Sequence, residues 1–186
     1  MKIRDIIYKD ELSKGQILVK IVYSGICGSQ IGERNGVKGK DKFLPHLLGH
    51  EATGIVVQVG PKVKLFKKKD KVILHWRESK GINAQNPKYF YKNKKINAGK
   101  VTTFNEYAVV SENRLTKIPK GLSLKNAVIF GCAATTGYGA VNYDAKISKK
   151  NSILIFGSGG IGLHVLISCL NKKVKNVIVV DKFKKK

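Results

Sequence analysis

The chain has 186 residues, of which 42% are hydrophobic, and its formal net charge at pH 7 is +24. This length fits one domain and part of a second. No stretch approaches the roughly 20 consecutive apolar residues of a membrane helix, and the N-terminus lacks the pattern of a secretory signal. Three scattered cysteines do not make a disulfide framework, so we expect a cytoplasmic protein without a membrane partner.

The basic character of the chain raises the question of nucleic-acid binding. Only four of the 36 basic residues are arginines, although arginine is the residue suited to bidentate recognition of phosphates and bases. The lysines gather at predicted turns and ends instead of following one element. Solvated surface lysines therefore explain the charge better than a functional basic patch, and nucleic acid is a disfavoured partner.

Residues 1 to about 120 are predicted to be rich in β-strands. Apolar and β-branched runs are bounded there by glycine, proline and asparagine, which is typical of short strands in a small barrel or sandwich. The polar stretch from about residue 78 to residue 100 is predicted to be a loop. The predicted strands are residues 16–23, 52–60, 71–74 and 106–110.

The pattern changes after residue 120. Residues 122–142 are predicted to be helical, with Ser123 as the N-cap. A strand, a glycine loop, a helix and a second strand are predicted next, and this order makes one parallel βαβ unit. These three elements are residues 152–156, 161–170 and 176–180.

The glycine loop of this βαβ unit matches the dinucleotide-binding pattern G-x-G-x-x-G. Gly157 allows a tight turn, Gly159 lets a pyrophosphate approach the backbone, and Gly162 lets the helix pack closely. Asp181, after the second strand, would accept hydrogen bonds from the ribose hydroxyls, and it would repel the 2′-phosphate of NADP. The alternative is a glycine-rich turn that binds nothing. The residues predicted to bind NAD are Gly157, Gly159, Gly160, Ile161, Gly162 and Asp181.

Three residues that bind metals in many proteins, Cys27, His50 and Cys132, lie far apart in the sequence. Spacing alone does not join them, because a free cysteine is most often a small buried residue and a lone histidine is most often structural. By pattern alone, a metal site is therefore the less favoured of two alternatives. The remaining candidates are expected in the core or in structural or surface positions: Cys169, His46, His75 and His164.

The motifs together resemble those of the medium-chain zinc-dependent alcohol dehydrogenases. The resemblance covers essentially the whole chain and rests on segments that occur in the same order. It implies an α/β protein with a β-rich part, in which a GroES-like β-barrel domain precedes the first βαβ unit of a doubly wound Rossmann domain. The matching segments are Gly25-Ile26-Cys27-Gly28-Ser29, Gly49-His50-Glu51, Asp70-Lys71-Val72, residues 131–137 and the glycine loop.

The resemblance also implies a division of the chain. Residues 1–122 would form the GroES-like catalytic domain, residues 123–150 a helical connection that carries the third zinc ligand, and residues 151–186 an incomplete NAD-binding domain. Cys27, His50 and Cys132 would bind one catalytic zinc ion. Two thiolates and one imidazole with a fourth, open position are a known catalytic zinc set.

The function implied by the resemblance is a zinc- and NAD-dependent oxidoreductase, whose substrate is a small alcohol or aldehyde. Zinc would lower the pKa of the alcohol so that its hydride can pass to NAD. Ser29 would be the first proton relay, Glu51 would lie behind the zinc ion, and Thr136 would lie near the nicotinamide. Whether the complete protein forms a homo-oligomer stays open.

The sequence also departs from the family pattern. Residues 76–104 contain no cysteine, so the four-cysteine structural zinc site of many relatives is predicted to be absent. Gln30 stands where many relatives have an acid that orients the zinc histidine, and Gly32 replaces the last histidine of the proton relay.

Length is the largest departure from the family. A dinucleotide domain needs about six strands, and only two are predicted here. We therefore expect the 186 residues alone to be inactive. The sequence leaves open a fragment, a truncated gene product, a non-catalytic zinc-binding remnant, or one part of a split dehydrogenase.

Overall fold

The computed structural model describes residues 2–37 and 39–183. The chain forms two compact units, Met1–Gly131 and Cys132–Lys186. The helical stretch that the sequence assigned to a connection is thus divided between the two units. None of the helices in the described part of the chain has the length and hydropathy needed to span a membrane.

The first unit is built mainly from antiparallel strands. The strands are β1 Ile7–Tyr8, β2 Gln16–Ser24, β3 Glu51–Val59, β4 Lys71–His75, β5 Tyr89–Tyr91, β6 Lys94–Ile96, β7 Tyr107–Ser111 and β8 Leu115–Lys117. The main sheet has five strands in the order β7-β2-β3-β4-β8, and a smaller sheet has the order β1-β5-β6. The helical segments are α1 Gly28–Arg34, α2 Leu124–Ala127 and the 3-10 turns Glu112–Arg114 and Val128–Gly131.

The four predicted strands of this unit are confirmed as β2, β3, β4 and β7. The predicted loop at residues 78–100 is wrong in part, since β5 and β6 form a hairpin there. Lys92 and Asn93 connect the two strands with φ angles of 46° and 61°. Two positive φ values in succession are typical of a two-residue hairpin turn, so a polar pair that suggested a loop in fact closes a hairpin.

The core of the first unit lies against the main sheet. Alternate side chains of β2 and β4 enter it, because successive residues of a strand point to opposite faces. The core residues are Ile17, Val19, Ala52, Val56, Phe66, Val72, Leu74, Val101, Ala108, Val110 and Leu115.

A buried carboxylate fixes two loops beside this core. One oxygen of Glu112 accepts hydrogen bonds from the backbone N–H groups of Lys64 and Leu65, each at 2.8 Å, and the other accepts from Ile82 at 2.8 Å. Burial raises the pKa of Glu112, but these three bonds lower it further, so the net pKa lies below its ordinary value. Gly81, with φ of +113°, leaves the space that this side chain needs.

The second unit contains the predicted βαβ arrangement. The two strands are parallel, with Ser152 opposite Asn176 in register, and the helix connects them. Its elements are α3 Ala133–Gly139, a π-helical turn Ala140–Asp144, β9 Ser152–Phe156, α4 Gly160–Asn171 and β10 Asn176–Val180.

The predicted helix at residues 122–142 is present as a broken series of short helical segments. Ser123 is confirmed as an N-cap, because its hydroxyl accepts a hydrogen bond from the Asn126 N–H at 3.2 Å. The α-helical hydrogen bonding of α3 ends at Gly139.

One face of the two-stranded sheet packs on a small core, and the other face is exposed. The core contains Cys169, whose side chain is fully buried as predicted, together with Val141 and Val174. The exposed face carries large apolar side chains. These are Leu154, Phe156, Ile178 and Val180.

Candidate functional site

Cys27 lies where β2 gives way to α1. It is the N-cap residue of α1 in an extended conformation, and its carbonyl accepts the first helical hydrogen bond from Gln30 at 3.0 Å. Its side chain is half-buried. The start of a rigid helix thus fixes the backbone that carries this thiol.

His50 and Glu51 are held at the start of β3 by two neighbouring glycines. Gly49 has φ of +90°, and a Cβ there would lie 2.3 Å from the Thr103 hydroxyl oxygen. A Cβ on Gly25 would lie 2.7 Å from the carboxyl carbon of Glu51. Both close approaches require glycine, because any side chain would displace the strand or the carboxylate.

The structure brings together three potential ligands of the first unit. Cys27, His50 and Glu51 each offer one ligand atom, and these atoms all lie within 4.8 Å of one another. Burial lowers the pKa of His50, although the charge of Glu33 opposes this, and the neutral imidazole so favoured is the form that binds metals. Burial raises the pKa of Glu51. Thiol, imidazole and buried carboxyl groups are donors that suit zinc.

Cys132 is the first residue of the second unit and follows Gly131 directly. Gly131 packs closely against β3 and β4. A Cβ at this position would lie 2.8 Å from the Glu51 Cβ and 2.7 Å from the Leu74 carbonyl oxygen. Cys132 is buried and precedes α3, where its carbonyl accepts from the Thr136 N–H at 3.0 Å.

Three further residues that the sequence singles out are Ser29, Gln30 and Thr136. Ser29 is exposed in the first turn of α1, two positions after Cys27. The side-chain oxygen of Gln30 accepts a hydrogen bond from the Gly49 N–H, so it holds the backbone before His50. Thr136 is half-buried on α3 in the second unit.

The glycine loop has the geometry that its pattern predicts. Gly157 has φ of +98°, and a Cβ on Gly162 would lie 1.9 Å from the Gly157 carbonyl oxygen, so both positions require glycine. A Cβ on Gly159 would meet nothing within 4 Å, which leaves open space over the loop. Helix α4 begins at Gly160 without a side-chain cap, so its first N–H groups face the same region.

Asp181 lies directly after β10 and reaches back to this loop. Its Oδ2 accepts hydrogen bonds from the Ser158 N–H at 2.6 Å and the Ser158 hydroxyl at 2.7 Å. Its Oδ1 accepts from the Phe183 N–H at 3.1 Å. The carboxylate is therefore held in one orientation beside the glycine loop.

The other histidines occupy different environments. His75 is buried and structural as predicted, with one ring nitrogen 2.8 Å from the Arg77 carbonyl oxygen and the other 3.0 Å from the Thr116 hydroxyl. His46 instead lies beside Glu33 and Asp41 in a second group of potential ligands. No motif connects these three positions, so the sequence does not indicate the group.

Comparison with known proteins supports these observations. The family model for the alcohol dehydrogenase GroES-like domain matches residues 13–120. Alcohol dehydrogenase 6 of Peromyscus maniculatus is 34% identical over 92% of this chain and 52% of its own length. S-(hydroxymethyl)glutathione dehydrogenase of Photobacterium damsela subsp. piscicida is 32% identical over 90% of this chain and 52% of its own length. The chain thus spans about half the length of these curated relatives.

Solved structures show the same fold. Benzyl alcohol dehydrogenase of Acinetobacter calcoaceticus superposes with a TM-score of 0.81 at 22% identity, over 96% of this chain and 54% of its own. An alcohol dehydrogenase zinc-binding domain protein of Burkholderia ambifaria gives a TM-score of 0.80 at 24% identity, over 92% of this chain and 53% of its own. With the family match covering more than half of its residues, the chain belongs to the alcohol dehydrogenase GroES-like domain family.

Proposed function

We propose that the protein acts as a zinc-dependent oxidoreductase, or as part of one, that transfers a hydride between an alcohol or aldehyde and NAD. The observation that carries the proposal is the grouping of Cys27, His50 and Glu51 within 4.8 Å. The names of the relatives, an alcohol dehydrogenase and an S-(hydroxymethyl)glutathione dehydrogenase, support the same reaction class.

Cys27, His50 and Cys132 would hold the zinc ion. The thiols and the neutral imidazole match a catalytic set of two cysteines and one histidine, which leaves a position open. The buried Glu51 carboxyl would lie behind the ligands, where a nearby cation favours its charged form. When bound, the ion supplies a Lewis acid that lowers the pKa of the alcohol.

The polar groups around the ligands would bind and orient the substrate. Ser29 is exposed on the first turn of α1, so its hydroxyl can accept a proton and pass it to solvent. Gln30 would keep His50 in place through the Gly49 N–H. Thr136 would border the nicotinamide from α3.

The glycine loop would bind the adenosine and pyrophosphate of NAD. Uncapped N–H groups at the start of α4 and the open space over Gly159 favour an anion there. Asp181 would accept hydrogen bonds from the ribose hydroxyls, and its negative charge would repel the 2′-phosphate of NADP.

Zinc analysis tests the metal centre. Purified protein dialysed against buffer should retain close to one equivalent of zinc. Cys27→Ala and Cys132→Ala should lose it, whereas Cys169→Ala, a change of the third cysteine in the core of the second unit, should keep it. Retention of zinc in the first two variants would overturn the ligand assignment.

The reaction is tested by following NADH formation with a panel of primary and secondary alcohols, in the protein purified from its own source. Hydride transfer depends on holding the nicotinamide within about 3–3.5 Å of the reacting carbon. Turnover that disappears in Cys27→Ala and falls in Ser29→Ala would support the proposal. Zinc retention without any hydride transfer would instead indicate a zinc-binding protein that is not catalytic.

A further inference from the structure

A second group of potential metal ligands combines Glu33, near the end of α1, with Asp41 and His46 on the segment between α1 and β3. The Nε2 atom of His46 is 2.6 Å from Oδ2 of Asp41 and 3.5 Å from Oε1 of Glu33. One ligand atom from each of the three side chains lies within 4.8 Å of the other two. The group is therefore compact enough for a single ion to contact all three side chains.

A hydrogen bond fixes the protonation of one ring nitrogen of His46, Nδ1. Its Nδ1 lies 2.9 Å from the Leu47 carbonyl oxygen, which can only accept a hydrogen bond, so Nδ1 carries a proton. In a neutral ring the lone pair is then on Nε2, where it faces two carboxylates. The two carboxylates favour a cation at this point, either a proton on Nε2 or a metal ion.

Each of the two carboxylates directs one oxygen toward Nε2 of His46, and Oδ2 of Asp41 is within hydrogen-bonding distance of it at 2.6 Å. Oδ1 of Asp41 accepts the Phe43 N–H at 2.7 Å, which leaves Oδ2 facing His46. Oε2 of Glu33 accepts the Gln30 side-chain amide at 2.9 Å, which leaves Oε1 facing His46. Each potential ligand thus has its other polar atom bonded elsewhere, as is typical of ligands oriented by a second layer of contacts.

The segment that carries Asp41 and His46 is anchored by Asn97. Its carbonyl accepts the Leu47 N–H at 2.9 Å, its N–H donates to the Pro45 carbonyl at 3.2 Å, and its side-chain amide donates to the Phe43 carbonyl at 2.7 Å. The exposed fraction of the side chain is 11% for His46 and 41% for Glu33, so the group opens to solvent on the glutamate side.

We propose that Glu33, Asp41 and His46 form a divalent transition-metal site that is separate from the cysteine-containing centre. One imidazole and two carboxylates suit zinc, cobalt or manganese, and water would fill the open side. Without a thiolate ligand, the ion should be held less tightly than zinc at Cys27 and should exchange during dialysis.

A proton competes with the ion for the same place. Burial lowers the pKa of His46, but the bonds to Leu47 and Asp41 and the charges of Asp41 and Glu33 raise it more, so the net pKa lies above 6.5. The Phe43 N–H and the contact with His46 lower the pKa of Asp41. A metal ion and a proton cannot occupy Nε2 at the same time, so metal binding requires the neutral ring.

Cobalt titration of the full chain tests this site. Protein that retains one zinc equivalent should bind one further equivalent of Co²⁺ without thiolate-to-metal charge-transfer absorption, since no sulfur contacts this ion. Asp41→Asn, His46→Gln and Glu33→Gln should each weaken this binding by about tenfold or more. Glu106→Gln removes an exposed carboxylate elsewhere in the first unit and should leave the affinity unchanged.

The two metal sites can fail independently. In Cys27→Ser, zinc at the cysteine-containing centre should be lost, while Co²⁺ should still bind to Glu33, Asp41 and His46. Three variants with unchanged far-ultraviolet circular dichroism and wild-type Co²⁺ affinity would overturn the proposal, as would the absence of a second equivalent in the parent protein. Neither result would bear on zinc at the cysteines.

Discussion

In the first unit, alternate side chains of the strands and apolar side chains of the loops fill one core. In the second unit, the sheet formed by β9 and β10 buries only one of its faces. Leu74 is fully buried, while Phe156 is 79% exposed and Ile178 is 63% exposed. Parallel sheets normally have both faces covered. The comparison indicates that Cys27, His50 and Glu51 rest on a complete core, while the glycine loop rests on a unit whose outer sheet face contributes little stability.

Core truncation should therefore act very differently in the two units. Leu74→Ala should lower the free energy of unfolding of the first unit by about 2–5 kcal/mol, because it removes a buried side chain and leaves a cavity. Leu154→Ala, at a side chain 53% exposed, should change the stability of the second unit by about 0.5 kcal/mol or less. Urea unfolding followed by circular dichroism measures both, and equal losses would contradict the comparison.

Replacing the buried Glu112 should cause the next largest loss of stability. Glu112→Gln replaces one carboxylate oxygen by an amide group that cannot accept, so the loop at Lys64 or at Ile82 loses its bond. Hydrogen bonds to charged groups contribute about 1.5–3 kcal/mol each, and the free energy of unfolding should fall by this amount. Glu106→Gln, at an exposed position, is the matched control and should have almost no effect.

The stability contributed by Glu112 should also depend on pH. Its folded pKa is below the ordinary value of 4.5, so the contribution is fully present above pH 4.5. It is lost as pH falls from there through the lowered folded pKa. The Glu112→Gln variant lacks this component, and its unfolding free energy should fall less steeply in acid than that of the parent. Parallel acid curves would show that the carboxylate contributes nothing.

Much of the fold follows from local pattern. β-branched runs located β2 and β3, and the strand-loop-helix-strand order located the βαβ unit. Helix α1 was missed because it has only seven residues, none of them buried, and therefore shows no apolar periodicity. The order of the five strands depends on pairing between distant segments, which no local pattern contains.

The glycine loop allows a test within the second unit. Gly162→Ala places a Cβ 1.9 Å from the Gly157 carbonyl oxygen, which backbone movement alone can relieve. We expect a loss of about 1–3 kcal/mol in stability, the usual cost of overpacking. Gly159→Ala meets nothing within 4 Å and should fold normally, yet its methyl group should weaken ADP-ribose binding by about tenfold, or 1.4 kcal/mol.

Hydrogen exchange of the α4 amides and calorimetric titration with ADP-ribose separate these two results. Faster exchange in Gly162→Ala with normal exchange in Gly159→Ala is the expected pattern. Unchanged ADP-ribose affinity in a folded Gly159→Ala variant would count against a dinucleotide at this loop.

The candidate sites differ in how much of each one could be predicted from the sequence. The glycine loop is a local feature, so its pattern and its place between a strand and a helix were enough to predict its turn geometry. Cys27, His50 and Cys132 were joined only through the family resemblance, because free cysteines and a lone histidine have commoner structural explanations. The group around His46 depends on anchoring by Asn97 of a different segment, and no spacing along the chain indicates it.

The choice between NAD and NADP should involve the smallest change in stability. Asp181 is held by two donors of Ser158, so Asp181→Ala removes these bonds at the edge of the unit but leaves its core intact. If the carboxylate binds the ribose hydroxyls, the parent protein should prefer ADP-ribose to its 2′-phosphorylated analogue. In the variant this preference should shrink by about one to a few kcal/mol, the size of a hydrogen bond to a charged group.

Lys182 is adjacent to Asp181 and would partly offset the repulsion of the 2′-phosphate, so Lys182→Ala should increase the preference for ADP-ribose. Titration of both ligands at one ionic strength measures the difference, because salt screens charge–charge interactions. Equal affinity of the parent protein for the two ligands would show that Asp181 does not select the cofactor.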